Sequence, residues 1–395
     1  MVTEGPSLSV VPSAVLAKPV GPRCNLRCGY CFYQPERRGF ASGTDDLRLM
    51  SETTLHRLTA EVLRLSVPRP SLCWQGGEPT LAGLAFYERA LALQRELGRD
   101  RAISNSLQTN GLLLDRQWTA FLRREGFLVG LSLDGPRDLH DAQRRDASGA
   151  GSWQRVMDAA RRLQDSEVPV NALCCLTSAS AASAEELYAF FTEEGFAHVQ
   201  FIPLLEAMQP DSGEPAAFSL TPEAYGDMLC RLWNLWLGAL ESGHSMGVRF
   251  FESFCHRALG LPPTLCEMYP GCGAYAVVER DGGIYPCDFF VSSHWRLGSL
   301  NQGLPEVLTS PKARHFNEIR LLLQPECRRC PWLAFCHGGC LKYRRLGLRL
   351  LPRTFFCEAY KTFFAHAHSD LTRVGACLLR SDHALSSPNP TEVLT

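Results

Sequence analysis

The strand-like run Ala14-Val-Leu-Ala-Lys18, followed by Cys24-Asn-Leu-Arg-Cys28-Gly-Tyr-Cys31, decides how the rest of the chain is read. A short apolar run makes a buried strand, and three cysteines in a C-x3-C-x2-C spacing then crowd the loop directly after it. Three thiolates from one short loop can hold three irons of a [4Fe–4S] cube and leave the fourth open. An open iron is a place for chemistry, whereas a fully cysteine-ligated cluster suits electron transfer or structure. Zinc is the competing occupant, but structural zinc takes four ligands, usually as two pairs, and this loop has no neighbouring histidine.

Outward from that loop, β-rich runs alternate with helical patterns. Strands are expected at Ala14–Lys18, Ser71–Gln75, Ile103–Gln108, Leu128–Leu133, Val170–Leu176 and Val199–Leu204. Helices are expected at Ser51–Leu65, Leu84–Leu97, Asp115–Arg124, Ser152–Gln164 and Ala182–Glu194, the last before a terminating Gly195. Six βα repeats imply an α/β protein with a parallel sheet and right-handed crossovers, closed or open. In such sheets ligands sit at the carboxyl ends of strands. Those ends carry Gln75-Gly76-Gly77-Glu78-Pro79, Gln108-Thr109-Asn110-Gly111 and Ser132-Leu133-Asp134-Gly135. Each alone could be a turn; together with the cysteine loop they describe one mouth.

Composition narrows the class. With 395 residues the chain is long enough for two or three domains, so no staples are needed for size. A net charge of -1 gives no global field to attract nucleic acid or an anionic membrane. The 17 cysteines are the anomaly. The first residues lack a basic segment before an apolar run, and no stretch has the roughly 20 apolar residues a membrane span needs. A cytoplasmic protein is therefore expected, where thiols stay reduced and serve metals or clusters rather than disulfides. Cys73, Cys174, Cys175, Cys230, Cys255 and Cys377 are scattered and read as small buried apolar residues.

After Leu205 comes a Pro/Gly-containing stretch and an amphipathic helix from Pro222 to Leu240, capped by Thr221, with Trp233, Trp236 and Leu237 on its apolar face. Eight cysteines follow, Cys266, Cys272, Cys287, Cys327, Cys330, Cys336, Cys340 and Cys357, with short strands expected at Ala274–Glu279 and Gly283–Pro286. Eight thiolates would satisfy two fully ligated [4Fe–4S] clusters or two zinc sites. The organisation expected is a barrel domain over 13–206, a helical linker over 207–262, a cysteine-rich domain over 263–365 and a flexible tail over 366–395.

Cys24-x3-Cys28-x2-Cys31, with an aromatic Tyr30 before the third cysteine, and Gly76-Gly77-Glu78-Pro79 resemble the cluster and SAM-amine motifs of radical S-adenosylmethionine (SAM) enzymes. The resemblance implies a partial (β/α)6 TIM-like barrel, with Cys24, Cys28 and Cys31 on the cluster. SAM would be held by Gly76, Gly77, Glu78, Pro79, Asn110, Ser132 and Tyr30. Its cleavage yields a 5′-deoxyadenosyl radical that abstracts a substrate hydrogen. The eight later cysteines resemble the SPASM extension, a C-terminal domain with two auxiliary clusters. By that likeness Cys266, Cys272, Cys287 and Cys340 hold auxiliary cluster I, and Cys327, Cys330, Cys336 and Cys357 hold auxiliary cluster II, three [4Fe–4S] clusters in all.

Within that group Lys18-Pro19-Val20, Cys31-Phe32-Tyr33 and Tyr285-Pro286-Cys287-Asp288-Phe289 resemble the anaerobic sulfatase-maturating enzymes. These oxidise a Cys or Ser of a sulfatase polypeptide to Cα-formylglycine. The chemistry removes a hydrogen atom from Cβ, a proton from the thiol or hydroxyl, and an electron. The resemblance makes Asp288 the general base and Tyr33 and Gln75 neighbours of the substrate pocket. It also implies a flavodoxin- or ferredoxin-type reductant, and no nucleic-acid or membrane partner. Two competing readings are a SPASM maturase that crosslinks a ribosomally made peptide, and a non-catalytic multi-cluster electron carrier or zinc scaffold.

Overall fold

A computed structural model describes residues 13–33, 49–209, 211–244 and 246–381. Helix starts follow side-chain chemistry: Ser51 Oγ accepts from the Thr54 amide at 3.1 Å, Asp115 Oδ1 from Trp118 at 2.9 Å, and Thr221 Oγ1 from Ala224 at 3.2 Å. The helices so begun are Glu52–Leu63, Arg116–Arg124 and Pro222–Glu241. Gly195, at φ +74°, stops Ala184–Glu193 in the left-handed conformation that only a residue without Cβ adopts cheaply.

The strands are β1 Ala14–Lys18, β2 Ser71–Trp74, β3 Ser104–Thr109, β4 Leu128–Ser132, β5 Val170–Leu176, β6 His198–Pro203, β7 Gly247–Val248, β8 Tyr275–Glu279, β9 Gly283–Tyr285 and β10 Gly298–Ser299. Each of the six expected strands is present, within a residue or two of its expected ends. The chain divides into two compact units. The first comprises 1–23, 44–108 and 270–322; the second comprises 24–43, 109–269 and 323–395. They interleave along the sequence, so the consecutive domains expected from the sequence are not the compact units of the fold.

In the first unit β8, β1, β2 and β3 run parallel, with Ala14 opposite both Ser71 and Tyr275, and β9 and β10 add an antiparallel edge. β1 is buried almost throughout, as expected of a parallel strand covered on both faces, and its last residue is a lysine. In the second unit β4, β5, β6 and β7 are parallel. Its core is aromatic: Trp233 stands edge-on to Phe363 at 5.7 Å and to Phe254 at 5.7 Å.

The helix expected from Pro222, capped by Thr221, is present as Pro222–Glu241 with Trp233, Trp236 and Leu237 buried, and with a further helix, Arg249–Ala258, it supplies this core. The flexible tail expected from residue 366 instead contains the end of helix Cys357–His368 and another helix, Leu371–Ser381. Val374 and Cys377 are buried, and the Trp233 indole donates to Asp370 at 2.9 Å, so apolar burial overrides the polar composition as far as Cys377. Residues 382–395 lie outside the described residues. Among the described residues no helix is long and apolar enough to cross a membrane.

Candidate active site

The cysteine loop belongs to the second unit, and backbone bonds fix it at alternate residues. Arg27 donates to the Arg145 carbonyl at 2.7 Å, Gly29 to Gln143 at 2.9 Å, and Cys31 turns back on Cys28 at 3.0 Å. A side chain at position 29 would meet Gln143 Oε1 at 2.6 Å, so the approach requires glycine. Cys24 is exposed, Cys31 partly buried and Cys28 buried. Asn110, just past β3, reaches Cys24 Sγ at 3.7 Å and Asn25 Oδ1 at 2.8 Å.

Beneath the loop lies a buried polar knot that joins Tyr30 and Asp134, both within the quoted motifs, to Arg144 and His140, which the sequence did not single out. Asp134, two residues past β4, accepts two bonds from the Arg144 guanidinium at 2.8 and 3.1 Å, one from Tyr30 Oη at 2.5 Å and one from the Cys175 amide at 2.9 Å. His140 Nδ1 accepts from the Asp134 amide at 3.2 Å, and its other ring nitrogen meets Ser152 Oγ at 2.9 Å. Arg144 also lies over the Tyr30 ring at 5.4 Å. Tyr30, expected to bind SAM, has its hydroxyl committed to Asp134 and so anchors the loop from below. Burial pushes the Cys28 thiol up to about 12, opposed by the Arg144 charge, so this sulfur stays protonated until a cation draws the proton off. Burial likewise holds His140 neutral, down at about 4.

The first unit holds the second polar group. Gly76 and Gly77 take φ +90° and +48°, and a Cβ on Gly77 would stand 2.0 Å from the Arg23 carbonyl oxygen. Glu78 is fully buried: its amide donates to that carbonyl at 2.8 Å, and its carboxylate accepts from the Thr80 amide and hydroxyl at 2.9 and 2.5 Å. Tyr87 Oη holds the Pro79 carbonyl at 2.9 Å. Lys18, at the end of β1 and fully buried, is ion-paired with Asp288 and lies 3.4 Å from Glu279. Gln75 Nε2 donates to the other Asp288 oxygen at 3.0 Å. The structure thus gathers Gln75, Gly76 and Asp288 around Lys18, which the sequence offered only as a motif residue. Its signal was there: a lysine closing a buried apolar strand needs a partner.

Cys272 and Cys287 belong to the first unit, where the Cys272 amide donates to Asn317 at 2.9 Å and Tyr275 Oη lies 3.3 Å from Cys287 Sγ. Cys266 and Cys340 belong to the second, the former opening a short 3-10 turn. Cys327, Cys330, Cys336 and Cys357 line one cavity of about 390 Å³ within the second unit, walled also by Trp332, Tyr360 and Phe364. Among the described residues no three His, Cys, Asp or Glu side chains close on a point as a single ion requires. The four thiols stand around a cavity instead, which fits a cluster. Burial pushes Cys336 up to about 11, so it too needs iron to become a thiolate. Of the six scattered cysteines, Cys73, Cys174, Cys255 and Cys377 are buried as expected; Cys230 is partly buried, and Cys175 lies 3.9 Å from Arg144. Tyr33 packs against Phe32 at 4.4 Å, and Ser132 ends β4.

A three-cysteine loop after the first strand, on a parallel α/β scaffold with a cysteine-lined cavity later in the chain, defines an iron–sulfur enzyme that binds a small ligand at strand ends. Residues 19–190 match the model of the radical SAM superfamily, and 270–331 that of the SPASM iron–sulfur cluster-binding domain. A cysteine-type anaerobic sulfatase-maturating enzyme of Clostridium perfringens is 35% identical over 92% of this chain and 98% of its own. A serine-type counterpart from Bacteroides thetaiotaomicron is 31% identical over 90% of this chain and 89% of its own. The solved structure of native anSMEcpe with bound AdoMet and Cp18Cys peptide superposes with a TM-score of 0.85 at 34% identity, covering 92% of this chain and 99% of that one. The chain belongs to the anaerobic sulfatase-maturating enzymes, a family of radical SAM enzymes with a SPASM domain. It is an enzyme, and its cofactors are SAM and [4Fe–4S] clusters. The non-catalytic scaffold reading falls with that membership.

Proposed function

We propose that this chain oxidises a Cys or Ser of a sulfatase polypeptide to Cα-formylglycine, with Asp288 as the base that takes the proton from the target thiol or hydroxyl. Cys24, Cys28 and Cys31 would hold the open cluster, and Gly76, Gly77, Glu78 and Pro79, with Asn110 and Ser132, would hold SAM, while Tyr30 braces the loop through Asp134. Cys327, Cys330, Cys336 and Cys357 would hold one auxiliary cluster, a reading their shared cavity supports. Cys266, Cys272, Cys287 and Cys340 would hold the other, on the family's pattern alone. When bound, SAM and the clusters supply hydrogen-atom abstraction and a one-electron acceptor. A flavodoxin- or ferredoxin-type protein exchanges electrons with the enzyme, in the cytoplasm.

The observation that carries the role of Asp288 is its fixation. The side chain is buried, one oxygen is held by Lys18 and the other by Gln75, and it stands one residue after Cys287. With one carboxylate oxygen held by Lys18 and the other by Gln75, the geometry is fixed and rotation is prevented. Burial keeps bulk water from competing for that position. The test is anaerobic reconstitution with SAM, reductant and a Cys-x-Pro-x-Arg or Ser-x-Ala-x-Arg peptide, read by mass spectrometry. Asp288→Asn should still release 5′-deoxyadenosine while losing formylglycine. An Asp288→Asn enzyme that makes formylglycine at the parent rate removes the assignment.

A further inference from the structure

The geometry points to the hairpin Arg345–Leu350 and the basic surface around the Cys327–Cys357 cavity as the docking site of a small acidic one-electron carrier protein. This rests on the reading of that cavity as the seat of an auxiliary cluster. Two strands of two residues, Arg345–Leu346 and Arg349–Leu350, pair around Gly347, and they leave Leu348 72% and Leu350 82% exposed. So short a hairpin is not independently stable, and exposed leucines stabilise nothing in the isolated chain. Two residues after Leu350 the backbone enters the cavity wall as Pro352, Arg353 and Thr354, beside Cys327, Cys330, Cys336 and Cys357.

Charge gives the partner's sign. Between residues 324 and 361 there are eight basic side chains against two acidic ones, in a chain whose net charge is -1. Arg328, Arg329, Arg349 and Arg353 are exposed. Glu358 is shared by Arg353 at 3.2 Å and Lys361 at 3.1 Å, and Lys342 is paired with Glu206 at 2.7 Å, so Arg328, Arg329 and Arg349 carry the exposed excess. A localised cationic field rimming two exposed leucines selects an acidic protein with an apolar patch at its redox centre, and steers its approach. The sulfatase target is a poor fit here, since its motif carries an arginine.

Electron balance gives such a carrier its work. SAM cleavage would consume one electron, delivered by a reduced carrier. Oxidation of the Cys or Ser Cβ–H and S–H or O–H pair passes one hydrogen atom to the 5′-deoxyadenosyl carbon and one proton to Asp288. The remaining electron passes to an oxidised carrier, which becomes reduced by one, so each turnover takes up one electron and returns one. Repeated brief encounters suit a small, wet, charge-guided interface rather than a permanent one.

The experiment mixes dithionite-reduced holoenzyme, freed of excess dithionite, with oxidised flavodoxin in an anaerobic stopped-flow instrument and follows flavin semiquinone formation. No peptide is present. The parent's second-order rate should fall steeply with salt. The combined Leu348→Ser, Arg349→Glu and Leu350→Ser variant should react about tenfold more slowly at low salt, with a flattened salt dependence. Its iron content and its dithionite-supported formylglycine yield should match the parent, while Arg349→Lys should retain the parent rate. A combined variant that reduces flavodoxin as fast as the parent overturns the docking site, as does a parent rate indifferent to salt. If the parent makes no formylglycine with dithionite, the oxidase reading fails on its own, and the flavin measurement still judges the surface.

Discussion

Replacing Arg144 with methionine tests whether the polar knot under the cysteine loop holds the second unit together. Arg144 and Asp134 are 6% and 3% exposed, and the guanidinium spans both carboxylate oxygens at 2.8 and 3.1 Å. Without it the Asp134 carboxylate keeps Tyr30 Oη and the Cys175 amide as donors but loses the cation paired with it, while staying buried. Breaking one side of a buried pair costs about 3–5 kcal/mol. With a urea m-value of about 3 kcal/mol/M, the midpoint of the anaerobic apo protein should fall by about 1 M or more. The Asp134→Asn, Arg144→Met double variant should lose less than the two singles combined, because no lone charge remains. The guanidinium also opposes the upward push on the Cys28 thiol, so Arg144→Met should take up less iron at pH 7 than at pH 8.5. A single-variant shift below about 0.3 M, under roughly 1 kcal/mol, would show the pair is not structural.

Gly77→Ala places a Cβ 2.0 Å from the Arg23 carbonyl at φ +48°, so the backbone must move; SAM affinity by anaerobic equilibrium dialysis should drop at least about tenfold, and parent-like affinity would refute the close approach. His140 has a folded value of about 4 against 6.5, so the unfolded chain binds its proton first as pH falls. Stability present above pH 6.5 is then lost towards pH 4, about 2 kcal/mol of it by pH 5. His140→Gln should lose less between pH 7 and 5 than the parent, and equal losses in urea titrations would dismiss the buried neutral imidazole. Replacing Cys327 and Cys330 together with alanine should lower iron by about four atoms per chain while sparing SAM binding; unchanged iron would mean their cavity holds no cluster.

The sequence by itself determined the βα alternation, because parallel strands buried on both faces read as unbroken apolar runs, and it determined the cluster loop, because three cysteines within eight residues leave little else for them to do. The family likeness rested on those residues and on Gly76–Pro79 and Tyr285–Asp288. What only the tertiary structure decided was which polar groups meet. Lys18 finds Asp288 across 270 residues, and Tyr30 finds Asp134 across 104. No local periodicity encodes such distant pairs, since each partner sits in a segment whose pattern is satisfied by its own strand or loop. The same holds for the linker and tail: Trp233, Phe254 and Phe363 become one core only when three helices, one of them about a hundred residues further along the chain, pack together. Local pattern fixes elements, whereas burying unlike charges away from water fixes their pairing, and that is a property of the folded chain alone.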